Sequence, residues 1–219
     1  MEKNNSENKE VLDVKYLEKN QLREFVKYWK KNPRKYQKRN LLIFELLIET
    51  GALVEEFSRI KIKDIHFNDN VIDLNSKVYK RPRIRQVKIS SNAVKHIKEY
   101  IEHCKEHDCN LGPNDYLFGS QRQNDDKPLS DRNFRYLIAK TYKRIQPILI
   151  AKGIDLDFLP HPHVFRHTHI VYALRHGIEA EEIQEQVGNL HIDTIMMYPV
   201  DYKPKNRGYW DVTLFKFEY

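Results

Sequence analysis

The densest chemistry in the chain lies in His161-Pro162-His163-Val164-Phe165-Arg166-His167. If this segment opens a helix, His163 and Arg166 stand three residues apart and share a face. An arginine there can grip a phosphate through two parallel hydrogen bonds. A histidine can donate to the same phosphate or move a proton. A second stretch, Lys77 to Lys88, carries Lys77, Lys80, Arg81, Arg83, Arg85 and Lys88 and no acidic residue. A solvated charge run is the plain reading of such a stretch, but on a hairpin it is well placed to lie along a phosphate backbone. A third cluster holds His103, Cys104, His107 and Cys109. Its ligand spacing at a helix end is poor for a metal, so a solvated helix terminus is expected and no metal site.

Composition agrees with a polyanionic partner. Among 219 residues, 38 Lys and Arg outweigh 31 Asp and Glu, for a net charge of +7. Each cation set against a phosphate releases condensed counterions, so a basic surplus favours nucleic acid without proving it. Two cysteines are too few for a disulfide framework. No apolar run reaches the roughly 20 residues that span a bilayer, and Met1 to Glu10 lacks an apolar signal core. The chain is expected to be cytoplasmic, with no membrane partner.

The elements that must position these groups follow from periodicity. Residues 1–14 are polar and expected to be disordered. Leu17, Leu22, Phe25, Val26 and Trp29 fall near helical spacing, whereas Asn32 to Asn40, basic and containing Pro33, reads as a loop. Leu41 to Ile48 is apolar almost all round, broken only by Glu45, which predicts a buried helix capped by Gly51. Leu53 to Ile60 continues as a second short helix. Val71 to Leu74 and Ile84 to Ile89 read as two strands of a hairpin whose tip is the basic run. Helical spacing resumes with Val94, Ile97, Ile101 and Cys104. Ser130 is a good N-cap for a helix burying Phe134, Leu137, Ile138 and Ile145. Further helices are expected from Val164 to His176, stopped by Gly177, and from Ala180 to Val187. The expected fold class is α+β, mainly α, with a small antiparallel sheet near residues 64–89.

Four motifs in this order resemble the tyrosine recombinase (phage integrase) family. HPHVFRHTH is similar to the family's H-x-x-R box. The stretch Glu49 to Ile65 resembles its T-G-L-R-x-x-E-L-x-x-L-x-x-x-D-I element without a gap. Asp115-Tyr-Leu-Phe118 resembles its D-x-L-F strand end. Gly188-Asn-Leu-His-Ile-Asp-Thr-Ile-Met-Met-Tyr198 resembles G-H-x-x-x-x-T-x-x-x-Y, which ends in the nucleophile. The similarity runs over roughly residues 15–200, leaving 201–219 as a tail.

The resemblance implies a site-specific recombinase or integrase of a prophage or mobile element, cutting and rejoining double-stranded DNA. Tyr198 matches the nucleophile that forms a 3′-phosphotyrosyl ester. Storing the bond in that ester removes the need for a metal or ATP, so no cofactor is expected. Arg166 matches the second clamp arginine and His163 the box histidine, a hydrogen-bond donor or general base. Lys77 is the choice for the hairpin lysine that protonates the leaving 5′-oxygen, with Lys80 as runner-up. Lys80, Arg81, Arg83, Arg85 and Lys88 are the expected DNA contacts. Two positions depart from the pattern. The first clamp arginine falls on Leu53, and losing one such donor typically costs about 10² to 10³ in rate. The histidine or tryptophan after the glycine falls on Asn189, which can donate a hydrogen bond but carry no proton. His191 and Arg59 are the candidates to compensate. The family usually carries an N-terminal helical domain that closes a clamp on DNA, and this sequence begins almost at the catalytic domain. Weaker binding, a homo-oligomer on DNA, or a full-length recombinase or accessory partner is therefore expected. The alternative reading is a catalytically impaired DNA-binding regulator. In the tail, Tyr209 to Tyr219 is too apolar to stay in water and should dock on its own domain or on a neighbouring protomer. Tyr202 is a second phenol near the nucleophile.

Overall fold

The apolar stretch at Leu41 forms the middle of the molecule. It belongs to a helix over Gln37–Thr50 in which every residue from Asn40 to Thr50 is buried. In the computed structural model, which describes residues 12–31, 36–76, 83–107, 111–119, 127–188, 191–205, 207–209 and 214–215, this is the second helix, α2. It follows α1 (Lys19–Lys31) and precedes the short α3 (Val54–Phe57). Helix α2 starts four residues before the expected Leu41, and α3 is shorter than the expected Leu53 to Ile60. Gly51 ends α2 at φ 58°. A side chain there would be strained, and its Cβ would lie 2.9 Å from the ring of His169. Both reasons require glycine.

The remaining order is β1 (Ile65–His66), β2 (Val71–Ser76), β3 (Arg83–Lys88), α4 (Ser91–Glu106), α5 (Asp131–Ala151), α6 (Pro162–His176), α7 (Ala180–Val187) and α8 (Ile192–Met196). The mainly helical fold with a small antiparallel sheet is as expected, and the strand order is β1-β2-β3. Ser130 caps α5 by accepting from Asn133 N, and Gly177 ends α6 in the left-handed region, both as predicted. Phe25, Phe44 and Phe165 bring α1, α2 and α6 together with ring centroids 5.4 to 6.1 Å apart. Such tilted and edge-on pairs add to area burial.

Two buried carboxylates of α2 have partners from α4 and the turn before it. Glu45 lies 2.9 Å from His96 Nδ1, and Glu49 accepts from Ser90 N at 2.8 Å and Ser90 Oγ at 2.7 Å. Burial, helped by the neighbouring Glu45 carboxylate and opposed by the Ser90 donors, pushes the Glu49 carboxyl up to about 7. In the unfolded chain it loses its proton nearer 4.5. Between those values the folded state holds the proton and the unfolded state does not, so stability falls as pH rises. A shift of this size corresponds to about 3 kcal/mol across the window. Glu49→Gln should remove that contribution, and urea unfolding midpoints between pH 5 and 8 read it out. An unaltered pH slope in the variant would refute the assignment.

Strands β2 and β3 pair from Val71↔Lys88 to Ser76↔Arg83. Because side chains alternate, Leu74 opposite Arg85 and Ile72 opposite Val87 point to one face. Ile72, Leu74 and Val87 are buried there, while Ile84 on the other face is exposed. Arg85 therefore faces the protein interior.

The outermost described segments pack on the same body. Leu12 N donates to Met197 O at 2.8 Å, and Leu17 N donates to Thr168 Oγ1 at 2.9 Å. Residues 12–14, expected to be disordered, are thus attached to the domain. In the tail, Tyr209 stacks on His169 at 5.4 Å with its hydroxyl 2.7 Å from Nε2, and Phe215 packs on Tyr172 at 5.1 Å. These described tail residues dock on their own domain.

Candidate active site

Helix α6 begins with extended His161 as N-cap and Pro162 inside its first turn, slightly earlier than sequence periodicity implied. Proline suits that position because the first-turn N–H has no helical partner. The start places His163 on the exposed side of the first turn and turns Arg166 inward. The Arg166 guanidinium donates from Nη1 to Gly51 O at 3.0 Å and also to Val187 O. It joins the α2–α3 turn to the last turn of α7, so one cation fixes two of the sequence boxes relative to the third.

Tyr198 follows α8 and is buried. Its hydroxyl lies 2.7 Å from Nδ1 of His167, whose ring centroid is 5.7 Å from the phenol's. Burial raises the Tyr198 phenol to about 12, with the Arg166 charge acting the other way. His167 is pushed down to about 4, first by burial, then by the neighbouring positive groups His163, Arg166 and His161. The ordinary histidine range is also lowered at His163, by burial and then by Arg166, and at His161, by burial and then by His163. The arrangement is a neutral imidazole on a buried phenol beside a fixed guanidinium. It can orient the phenol, accept its proton and neutralise an anion brought to it.

Of the expected site residues, Arg166 lies within electrostatic reach of both Tyr198 and His163. Lys77, Lys80, Arg81 and Asn189 lie outside the described residues, and Arg83 is described by its backbone in β3. His167 went unrecognised as a site residue, although its i, i+4 relation to His163 was a usable signal. Tyr202 donates its hydroxyl to Ile178 O at 3.1 Å, so the second phenol is engaged elsewhere. Leu53 is the N-cap of α3 and offers no charge. His191 caps α8 and is exposed.

Arg85 corrects an expectation. Rather than standing free for DNA, its guanidinium grips both carboxylate oxygens of Glu56, with Nη2 to Oε2 at 2.8 Å. It also donates to Gln186 O and Val187 O, each at 3.3 Å. The side chains are 10% and 2% exposed, so this is a buried ion pair. Lys88 Nζ likewise meets Glu182 at 2.8 Å. Arg85 and Lys88 of the basic run thus have acidic partners, supplied by α3 and α7. The Glu56 carboxylate in turn accepts from Leu53 N at 3.2 Å, and Arg166 and Arg85 share the Val187 carbonyl. Away from this site, His103, Glu106 and His107 group their ligand atoms within 4.8 Å at the end of α4. Cys104 is buried and stands outside that group, and Cys109 lies outside the described residues. No helix among the described residues is long and apolar enough to cross a membrane.

Comparison with known proteins points one way. The model described as Phage integrase family matches residues 15–203. A tyrosine recombinase from Agathobacter rectalis is 34% identical over 169 residues, which is 74% of this chain and 49% of that protein. Tyrosine recombinase XerD from Yersinia pestis is 29% identical over 160 residues, 73% of this chain and 49% of that protein. The chain spans about half the length of these curated relatives. Among solved structures, the XerA recombinase superposes with a TM-score of 0.65 at 22% identity, covering 84% of this chain and 59% of that one. The Tn1549 transposon integrase in complex with circular intermediate DNA gives 0.67 at 16% identity, covering 86% and 64%. These two likenesses concern the fold.

Proposed function

The chain belongs to the phage integrase family, and from that membership we propose that it binds double-stranded DNA and cuts and rejoins it through a 3′-phosphotyrosyl ester on Tyr198. The observation that carries this reading is the convergence of the Tyr198 phenol, the His167 imidazole and the Arg166 guanidinium. The three sit together although Tyr198 is 32 residues from Arg166. In the proposed reaction the phenol attacks the scissile phosphorus and the bond to the 5′-oxygen breaks. Arg166 offsets the charge on the non-bridging oxygens, where a preorganised donor acts most strongly. His163, on the exposed rim, donates to the same phosphate, and Asn189 supplies a further hydrogen bond. Lys77 protonates the departing oxygen, with Lys80 as the alternative. Residues 15–200 form the catalytic domain of this reading. Self-association on DNA, or a longer recombinase as partner, completes the assembly.

A duplex nicked beside the scissile phosphate loses its short 5′-hydroxyl fragment after cleavage and traps the covalent adduct. The expected result is a protein–DNA band that survives denaturing electrophoresis. Binding without any adduct would instead make the chain a recombinase-fold DNA-binding factor. Leu53 in place of the first clamp arginine favours that second reading.

Electrostatics yields a separate prediction. Neutralising Lys80, Arg81 and Arg83 together should flatten the slope of log K against log salt by about two to three, at roughly 0.9 for each phosphate that no longer meets a cation. Arg85 belongs outside this set because Glu56 already holds it. A slope equal to that of the unaltered protein would show that the hairpin faces away from DNA.

A further inference from the structure

We propose that His167 is the general base of the cleavage step, taking the Tyr198 phenolic proton on Nδ1 as the tyrosyl oxygen attacks the phosphorus. This rests on the cut-and-rejoin reading above and adds a catalytic residue that none of the matched sequence boxes assigns.

The geometry is direct. Nδ1 and the phenolic oxygen are 2.7 Å apart, within the range for an O–H donor and a ring nitrogen acceptor. His167 is partly buried and Tyr198 buried, so little water competes for that proton. The other histidines near the site are placed differently. His163 and His161 are exposed, and their closest described ring contact is with each other at 6.0 Å. His169 is occupied at both nitrogens, by Ile48 O and the Tyr209 hydroxyl, each at 2.7 Å. His167 alone among these four has a described hydrogen bond to the nucleophile.

The charge balance explains why the base waits for DNA. Without DNA, burial first, and then His163, Arg166 and His161 from its own helix and the turn before it, disfavour a protonated His167. A neutral imidazole is the form that can accept. The buried phenol, raised to about 12, does not ionise by itself at neutral pH. A scissile phosphate seated on Arg166 adds negative charge beside the imidazole, which favours the imidazolium. The Tyr198 proton then moves to Nδ1 as the tyrosyl O–P bond forms. The P–O5′ bond breaks with its electron pair going to the 5′-oxygen, which takes a proton from the separate acid assigned to Lys77. Rejoining runs the same transfers backwards.

The assay measures adduct formation on the nicked duplex for the unaltered protein, His167→Gln and His167→Ala. General-base loss is expected to slow cleavage by about 10² to 10⁴ while DNA affinity holds. Glutamine keeps a hydrogen bond but cannot take up the proton, so it should be as slow as alanine. A substrate with sulfur at the bridging 5′ position separates base from acid, because a thiolate leaves without protonation. The His167→Gln deficit should persist on it. Recovery to the unaltered rate would assign His167 to the leaving group and overturn the proposal, as would a His167→Gln rate equal to that of the unaltered protein. Nitrogen NMR of the DNA-free protein should find His167 protonated on Nε2 and bare on Nδ1. The opposite tautomer would make the imidazole a donor to Tyr198 and also overturn the proposal. Absence of any adduct from the unaltered protein would sink the cut-and-rejoin reading itself, and the base role with it. An adduct unaffected by His167→Gln would sink the base role alone.

Discussion

Tyr198→Phe is expected to abolish the covalent protein–DNA adduct completely while leaving DNA affinity unchanged. The substitution removes one oxygen and keeps the ring that packs near His167. The next described phenols along the chain are engaged elsewhere, Tyr202 donating to Ile178 O and Tyr209 buried against His169. The structural cost is confined to one missing hydrogen bond at His167, on the order of 1 kcal/mol. Denaturing electrophoresis on the nicked duplex and a binding titration on intact DNA measure the two halves. An adduct persisting in Tyr198→Phe would place the nucleophile elsewhere. Failure to bind would show that the phenol is needed for the fold of the interface.

The second large effect concerns stability. Arg85→Met should destabilise the protein by about 3 to 5 kcal/mol, because it leaves the Glu56 carboxylate buried without its cation. Set against a usual total of about 5 to 15 kcal/mol, this is enough to bring the domain near unfolding at 37 °C. The companion Glu56→Gln/Arg85→Met removes the stranded charge and should recover most of the loss, since a buried pair exchanged for neutral groups is often nearly neutral. Urea unfolding of the three proteins is the measurement. A single-variant loss below about 1 kcal/mol, the range of exposed ion pairs, would mean that water reaches the pair. The same pair bears on the site. Arg85 and Arg166 both bond the Val187 carbonyl, and Glu56 accepts from the Leu53 amide. Loosening it should therefore also disturb the seat of Arg166.

Several features of this fold were legible in the sequence because they depend on neighbours a few residues away. Gly51 and Gly177 mark helix ends because the left-handed backbone favours glycine, and Ser130 marks a start because its hydroxyl reaches Asn133 N. The three-residue spacing of His163 and Arg166 was enough to place both near one helix start, though not to tell that His163 would be exposed and Arg166 buried. Alternation in Val71 to Leu74 and Ile84 to Ile89 was enough for a hairpin, and the ordered boxes were enough for the family. Helix ends were less exact: α2 reaches back to Gln37 through residues whose polarity suggested a loop, and α6 begins at Pro162.

What the sequence alone determined is thus the local geometry of each box and the order of the boxes. Tertiary structure decided which charges are spent and which hydroxyl meets which base. Arg85 looked free because no acid lies near it in the chain, yet strand alternation turns it inward and α3 brings Glu56 to it across 29 residues. Lys88 finds Glu182 across 94 residues, and Glu49 finds Ser90 across 41. His167 meets Tyr198 only because the chain just after α8 returns to α6. The reason is physical: backbone geometry fixes positions over three or four residues, whereas burial, pairing and proton affinity depend on which faces the hydrophobic core presses together.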